Sequence, residues 1–98
     1  MNLDRKIEHY PAFERVVKKL HANAKRDLDK AIKQLVKNPQ AGELKKGDLG
    51  GVRVYKFQMV NQLTLLAYQY DELDEKITLL ALGSHENFYR DLKRPNRH

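Results

Sequence analysis

Apolar residues recur along this chain with two different periods, and the change from one to the other divides it in two. Phe13, Val16, Val17 and Leu20 fall at i, i+3, i+4 and i+7, the stripe of an amphipathic helix, with Glu14, Lys18 and Lys19 on the other side. Pro11 suits the first turn of that helix, where the N–H it lacks would have no intrahelical partner. His21-Ala-Asn23 reads as its end. Leu28, Ile32, Leu35 and Val36, at i, i+4, i+7 and i+8, predict a second helix. Asp27 and Asp29 lie early in it and Lys33 and Lys37 late, in keeping with the helix dipole. Asn38-Pro39 stops it, and the pair forms an αα-hairpin. Ahead of the hairpin, Lys6–Tyr10 is a short extended candidate ended by Pro11.

Residues Gln40–Gly51 form a loop carrying Gly42, Gly47, Gly50 and Gly51, and beyond it the period becomes two. Val52–Val60 alternates and is rich in β-branched and aromatic residues. Leu63–Tyr70 is a nearly continuous apolar run, which predicts a central strand covered on both faces. Ile77–Leu82 is a third strand of the same kind. Asn61-Gln62 is the tight connection between the first two, and Asp71–Glu75 is an acidic turn. Ser84 is placed to cap a final helix from His85 to about Lys93, with Glu86 favourable in its first turn. Arg94–His98 reads as a tail. The order β-α-α-β-β-β-α predicts an α+β domain. A short N-terminal strand and the αα-hairpin pack on one face of an antiparallel meander. The other face, toward the short C-terminal helix, forms a shallow concave surface.

Length and charge narrow the function. The 98 residues make one domain, 1–98, with no room for a second catalytic lobe. There is no cysteine, so disulfides and thiolate metal sites are excluded. No apolar stretch follows Met-Asn-Leu-Asp-Arg-Lys as in a signal peptide, and no run is long enough to span a bilayer. The expectation is a cytoplasmic protein without a membrane partner. The 19 Lys and Arg against 13 Asp and Glu give a net charge of +6, which attracts polyanions. Charge alone does not separate RNA, DNA and an acidic peptide, nor any of these from simple solubility.

Several segments, in order and at consistent spacing, carry a resemblance. They are Ile7-Glu-His-Tyr-Pro-Ala-Phe13, Asn38-Pro39-Gln-Ala-Gly42, Gly47-Asp-Leu-Gly-Gly-Val-Arg53-Val-Tyr-Lys56-Phe, Leu65-Leu-Ala-Tyr68 and Leu80-Ala-Leu-Gly-Ser-His85. From about Ile7 to Arg94 the chain resembles the RelE/ParE toxin superfamily of bacterial type II toxin–antitoxin systems. The resemblance implies a RelE-like fold, a cognate antitoxin whose acidic segment lies across the basic surface, and one of two activities. Some members are ribosome-dependent messenger-RNA endonucleases; others, on the same fold, inhibit DNA gyrase. The first is the leading expectation, with messenger RNA and the ribosome as partners, and gyrase is the alternative.

In the RNase members a side chain just after the last strand's glycine takes part in catalysis, and Gly83-Ser84-His85 is similar to the histidine form. That chemistry needs no metal and no cofactor. The ribose 2′-OH attacks the neighbouring phosphate, a base takes its proton, an acid protonates the leaving 5′-oxygen, and cations stabilise the phosphorane. His85 is the expected acid or base. At a helix N-terminus the dipole favours its neutral form, which suits a base. The competing reading is a histidine closing the core beneath the helix. Tyr89, at i+4, is the expected stacking platform for a base of the substrate. It also belongs to a stripe with Phe88 and Leu92, and such stripes are usually core. Relatives place basic residues facing the phosphate on the first meander strand, here Arg53 and Lys56. Strand alternation puts Arg53 with Tyr55 and Phe57 on one face and Lys56 on the other. Arg53 is the expected phosphate stabiliser because a guanidinium binds phosphate bidentately; the competing reading is an ordinary surface charge. Lys45, Lys46, Lys56, Arg90 and Lys93 are candidate backbone contacts to nucleic acid, or else a solvated loop and tail. Many active relatives carry an arginine early in the middle strand. Leu63-Thr-Leu-Leu-Ala-Tyr68 has no base there, which keeps the gyrase alternative open. His9, His21 and His98 lack metal-ligand spacing.

Overall fold

Pro11 opens helix α1 (Pro11–Lys18) in the computed structural model, which describes residues 5–47 and 50–84. The helix is shorter than its apolar stripe. Lys19 N–H bonds Val16 O and Leu20 N–H bonds Val17 O, a tightening that ends it. Phe13 is buried, Val17 and Leu20 are half-buried, and Val16 stays 37% exposed. Helix α2 (Ala22–Lys37) starts after His21 and buries Ala24, Leu28, Ala31 and Leu35 along one stripe. Asn38 N–H still bonds Gln34 O, and Pro39 ends the ladder.

Five strands form one sheet in the order β1-β5-β4-β3-β2. They are β1 (Lys6–His9), β2 (Glu43–Leu44), β3 (Arg53–Met59), β4 (Gln62–Asp71) and β5 (Lys76–Gly83). The antiparallel meander of β3, β4 and β5 stands as the alternating pattern predicts. Two strands extend it. β1 lies parallel to β5, with Ile7 opposite Ile77, the chain between them running through both helices and the other three strands. β2, inside the glycine-rich loop, pairs antiparallel with β3, Glu43 opposite Val54. The helices pack on one face, and the parallel β1 makes the otherwise antiparallel sheet mixed.

Thr64 to Tyr68 of β4 are buried on both faces, as its continuous apolar run requires. On the helix side, Leu66, Tyr68, Ile77, Leu79 and Leu82 pack with Phe13, Leu28 and Leu35. On the far side Val52, Val54, Leu65, Ala67 and Leu80 form a second cluster. A bulge supplies part of it. Ala67 pairs with Ala81 but Tyr68 pairs with Leu79, so Leu80 is the extra residue. Leu80 and Ala81 both join the far cluster as a result. Burying each such leucine stabilises the fold by roughly 1.5–3 kcal/mol relative to leaving it in water.

Met59 pairs with Gln62, so the β3–β4 turn is Val60-Asn61, one residue earlier than the pattern suggests. Both have positive φ, 50° and 65°, the two-residue turn whose twist matches a hairpin. The predicted C-terminal helix, His85 to Lys93, and the tail lie outside the described residues.

Candidate functional site

Arg53, at the start of β3, stands on the helix side of the sheet. The β3–β4 register runs unbroken from Arg53 opposite Tyr68 to Met59 opposite Gln62. No bulge therefore brings Arg53 and Lys56 to one face. Tyr55 and Phe57, on Arg53's face, stack with ring centroids 6.1 Å apart and pack against the helix-side core. One nitrogen of the Arg53 guanidinium, Nη1, donates to Gly42 O at 2.9 Å and to Gln40 O at 3.3 Å. Beside it the buried Tyr68 hydroxyl donates to Pro39 O at 2.7 Å and accepts from Gly42 N–H at 2.8 Å. Burial pushes the Tyr68 phenol up, while the Gly42 N–H and the Arg53 charge pull the other way. Gly42 admits no side chain, since a Cβ there would lie 2.7 Å from the Tyr68 ring. Arg53 and Tyr68 thus fasten the corner between α2 and β2 through four backbone groups.

Lys56 lies on the opposite face, and the register gives it a neighbourhood. Lys56 is opposite Leu65 on β4, and Leu65 is opposite Gly83 on β5. With strands about 4.8 Å apart, Lys56 and Gly83 are roughly 10 Å from one another across one row. Ser84, the next residue, is exposed and leads into His85. β2 adds to this face from the edge. Glu43 sits opposite Val54, and Lys45 N–H bonds Val52 O. Because faces alternate, Glu43 and Lys45 lie on the face of Val52, Val54 and Lys56. The Lys45 ammonium donates to Glu43 Oε1 at 3.0 Å, with Lys45 the less exposed of the two, 23% against 68%. That bond, and then the charge of Lys45 and more weakly of Lys56, holds the Glu43 carboxyl below the usual carboxylate range. On β4 the same face carries Leu63, exposed, and the buried Leu65 and Ala67, with no base.

The register thus brings Lys45 and Lys56 onto one face and takes Arg53 to the other. Lys46 is exposed in the loop. His85, Tyr89, Arg90 and Lys93 lie outside the described residues. Sequence reasoning passed over Glu43, whose signal, a carboxylate two residues from a lysine in a glycine-rich loop, is too common to select. At the β4–β5 turn an open cleft of about 720 Å³ is lined by Glu8, Asp71, Glu72 and Lys76 among others. Lys76 approaches Glu8 at 3.6 Å, so the cleft is predominantly acidic and repels phosphate. Among the described residues, no three His, Asp or Glu side chains gather as a metal would require. No helix among them is long and apolar enough to cross a membrane.

Comparison with known proteins bears on the whole arrangement. A family model described as the ParE-like toxin of type II bacterial toxin–antitoxin systems matches residues 7–93. The fold is similar to that of a chain in the intact E. coli RelBE toxin–antitoxin complex. The TM-score is 0.67 at 16% identity, covering 84% of this chain and 98% of that one. The isolated E. coli RelE toxin gives 0.64 at 16% identity, covering 92% and 97%. A RelBE toxin–antitoxin complex from Mycobacterium tuberculosis gives 0.61 at 16% identity, covering 83% and 98%. At such identities the likeness speaks to the fold. A search of curated protein sequences found no match.

Proposed function

The chain belongs to the ParE-like toxins of type II bacterial toxin–antitoxin systems, and from that membership we propose that it arrests growth by cleaving messenger RNA, on the ribosome and without a metal ion. The observation that carries this reading is the row Lys56–Leu65–Gly83. It puts a cation on the far face of the sheet, two strands from the residue that leads into Ser84-His85. A 2′-OH attack on phosphorus forms the O2′–P bond and breaks the P–O5′ bond. It needs a proton acceptor and donor near the ribose and a positive charge near the phosphoryl oxygens. His85 is the acid or base, and Tyr89 is the platform for a neighbouring base. The charge-stabilising role passes from Arg53 to Lys56, because Arg53 lies on the helix face of the sheet with its Nη1 engaged by the Gln40 and Gly42 carbonyls, whereas Lys56 shares the far-face row with Gly83. Lys45 and Lys46, with Arg90 and Lys93, hold the RNA backbone. A cognate antitoxin covers this face with an acidic segment, a partner supported by the toxin–antitoxin complexes among the similar structures.

One observation favours the alternative, inhibition of DNA gyrase. On Lys56's face β4 offers Leu63, 51% exposed, where an RNase would profit from a second cation. The substitution His85→Ala separates the two. Growth arrest should be lost while the folded protein still binds its antitoxin. A folded His85→Ala protein that arrests growth as well as the wild type removes His85 from the mechanism and favours gyrase.

A further inference from the structure

The sheet ends at β1 on an edge that no other described element covers. β1 pairs with β5 alone, and all four of its residues are exposed, Ile7 at 42%. Lys6 N–H donates to Glu75 O, and Tyr10 N–H donates to Leu79 O. Strand alternation then turns the N–H and C=O of Ile7 and His9 away from the sheet. A row of this kind pairs with another strand unless charge blunts it. Here the charges have a definite pattern. Ile7, opposite Ile77, lies on the helix side, and Lys6 and Glu8 flank it on the far face.

We propose that β1 is a self-complementary edge on which a second copy of this chain pairs antiparallel, about a two-fold axis at Ile7. A closed pair of identical chains needs one patch that matches itself. Two registers use the outward groups of Ile7 and His9. Centring on Glu8 sets two carboxylates opposite one another, which is unfavourable. Centring on Ile7 joins the two isoleucines by a pair of backbone hydrogen bonds. It also sets Lys6 opposite Glu8 of the second copy, twice. Charge therefore selects the second register. Glu8 approaches its own Lys76 at 3.6 Å but stays 62% exposed, so its carboxylate can accept another ammonium. The net charge of +6 opposes association at long range, yet a Debye length of about 8 Å at physiological salt leaves the local pattern to decide. A four-residue edge falls short of the roughly 1,000 Å² that a stable interface buries, so the dimer is weak and forms at high concentration. It leaves the row of Lys56 and Gly83 uncovered, because β1 meets β5 only from Lys76 to Leu79 and β3 lies beyond β4.

The test uses the full-length chain, chemically synthesised and refolded, from micromolar to millimolar concentration in about 0.15 M salt. Sedimentation should show a monomer–dimer equilibrium, and the Ile7 amide should exchange more slowly as concentration rises. Lys6→Glu alone and Glu8→Lys alone should each weaken dimerisation about tenfold, because two attractive cross-strand pairs become repulsive. Mixed together, these two variants should form a heterodimer at least as tight as the wild-type pair, since Lys and Glu again stand opposite at both places. Asp29→Lys, the same charge change on an exposed position of α2, should dimerise as the wild type does. Circular dichroism checks that each variant is folded; if a reversal unfolds the domain, Lys6→Gln and Glu8→Gln carry the same test with smaller losses. A chain that stays monomeric at millimolar concentration overturns the inference. So does a dimer indifferent to both reversals, or a mixture no tighter than its components. An Ile7 amide protected only when an antitoxin or another acidic peptide is added also overturns it, and gives the edge to that partner.

Discussion

Tyr68 ties the end of α2 to the start of β2 with a single side chain, because its hydroxyl satisfies two buried backbone groups at once, Pro39 O and Gly42 N–H. Tyr68→Phe leaves Gly42 N–H and Pro39 O without a partner in a dry corner, at a cost of about 1–3 kcal/mol. In a domain this small that lowers Tm by several degrees per kcal/mol. The pH dependence follows from the raised phenol pKa. A folded value above the unfolded one means that the native state holds its proton longer. The stabilisation is fully present below about pH 10 and is lost as pH rises through the folded value. Thermal unfolding of wild type and Tyr68→Phe between pH 7 and 11 should show the gap between them closing only at the alkaline end; a gap independent of pH would show that the phenol's ionisation is not coupled to folding. Residue roles were only partly legible in the sequence. Alternation alone puts Arg53 and Lys56 on opposite faces. What it cannot supply is the loop that Arg53 reaches, because those carbonyls, 11 and 13 residues away in the chain, meet it only when the corner closes. Bidentate chemistry makes Arg53 the attractive ligand, but it lies on the helix face and tertiary contacts engage its Nη1.

Elements were read best where a period ran long. Helix α2 and strand β3 show in the sequence because each repeats its pattern over two or more turns or alternations, and β4 and β5 because their apolar runs are nearly continuous. Strand β1, wholly exposed, has no buried face to pattern it and shows in the sequence only as the extended stretch Lys6–Tyr10 ended by Pro11, while β2, with two residues, leaves no pattern. The partner of β1 is the last strand, distant in sequence, whereas β2 pairs with β3 across the glycine-rich loop. The bulge at Leu80 is equally silent, since Leu79 to Leu82 is apolar on either face. The β3–β4 turn was misplaced by one residue for a physical reason: Val60, β-branched, is a poor occupant of a left-handed conformation, yet has φ of 50°. Asp27 holds it there by accepting from Val60 N–H at 2.8 Å. Val60→Asn keeps that N–H and removes the strain, with little burial lost at 42% exposure. It should stabilise the domain by about 0.5–1 kcal/mol in urea unfolding, given the roughly 1–2 kcal/mol that the left-handed region costs a side chain. A destabilised variant would mean that Val60 packs better than its exposure suggests.

At the scale of the molecule, charge and topology act together. A net charge of +6 draws the domain toward polyanions, but it is unevenly spread. Lys45 and Lys56 flank one corner of the far face, while the cleft at the β4–β5 turn carries Glu8, Asp71 and Glu72. That distribution favours an approaching anion at the end where β5 reaches Gly83 over the cleft at the β4–β5 turn. Composition gives the net charge, but its placement needs the sheet order, which brings Lys56 and Gly83 into one row from the two outer strands of the meander. The most direct measurement is brief induction of the toxin in growing bacteria, with protein and DNA synthesis labelled separately over the first minutes. Messenger-RNA cleavage predicts that protein synthesis collapses first, with DNA intact. A fall in DNA synthesis with strand breakage, while translation continues, would contradict it and assign the toxin to gyrase.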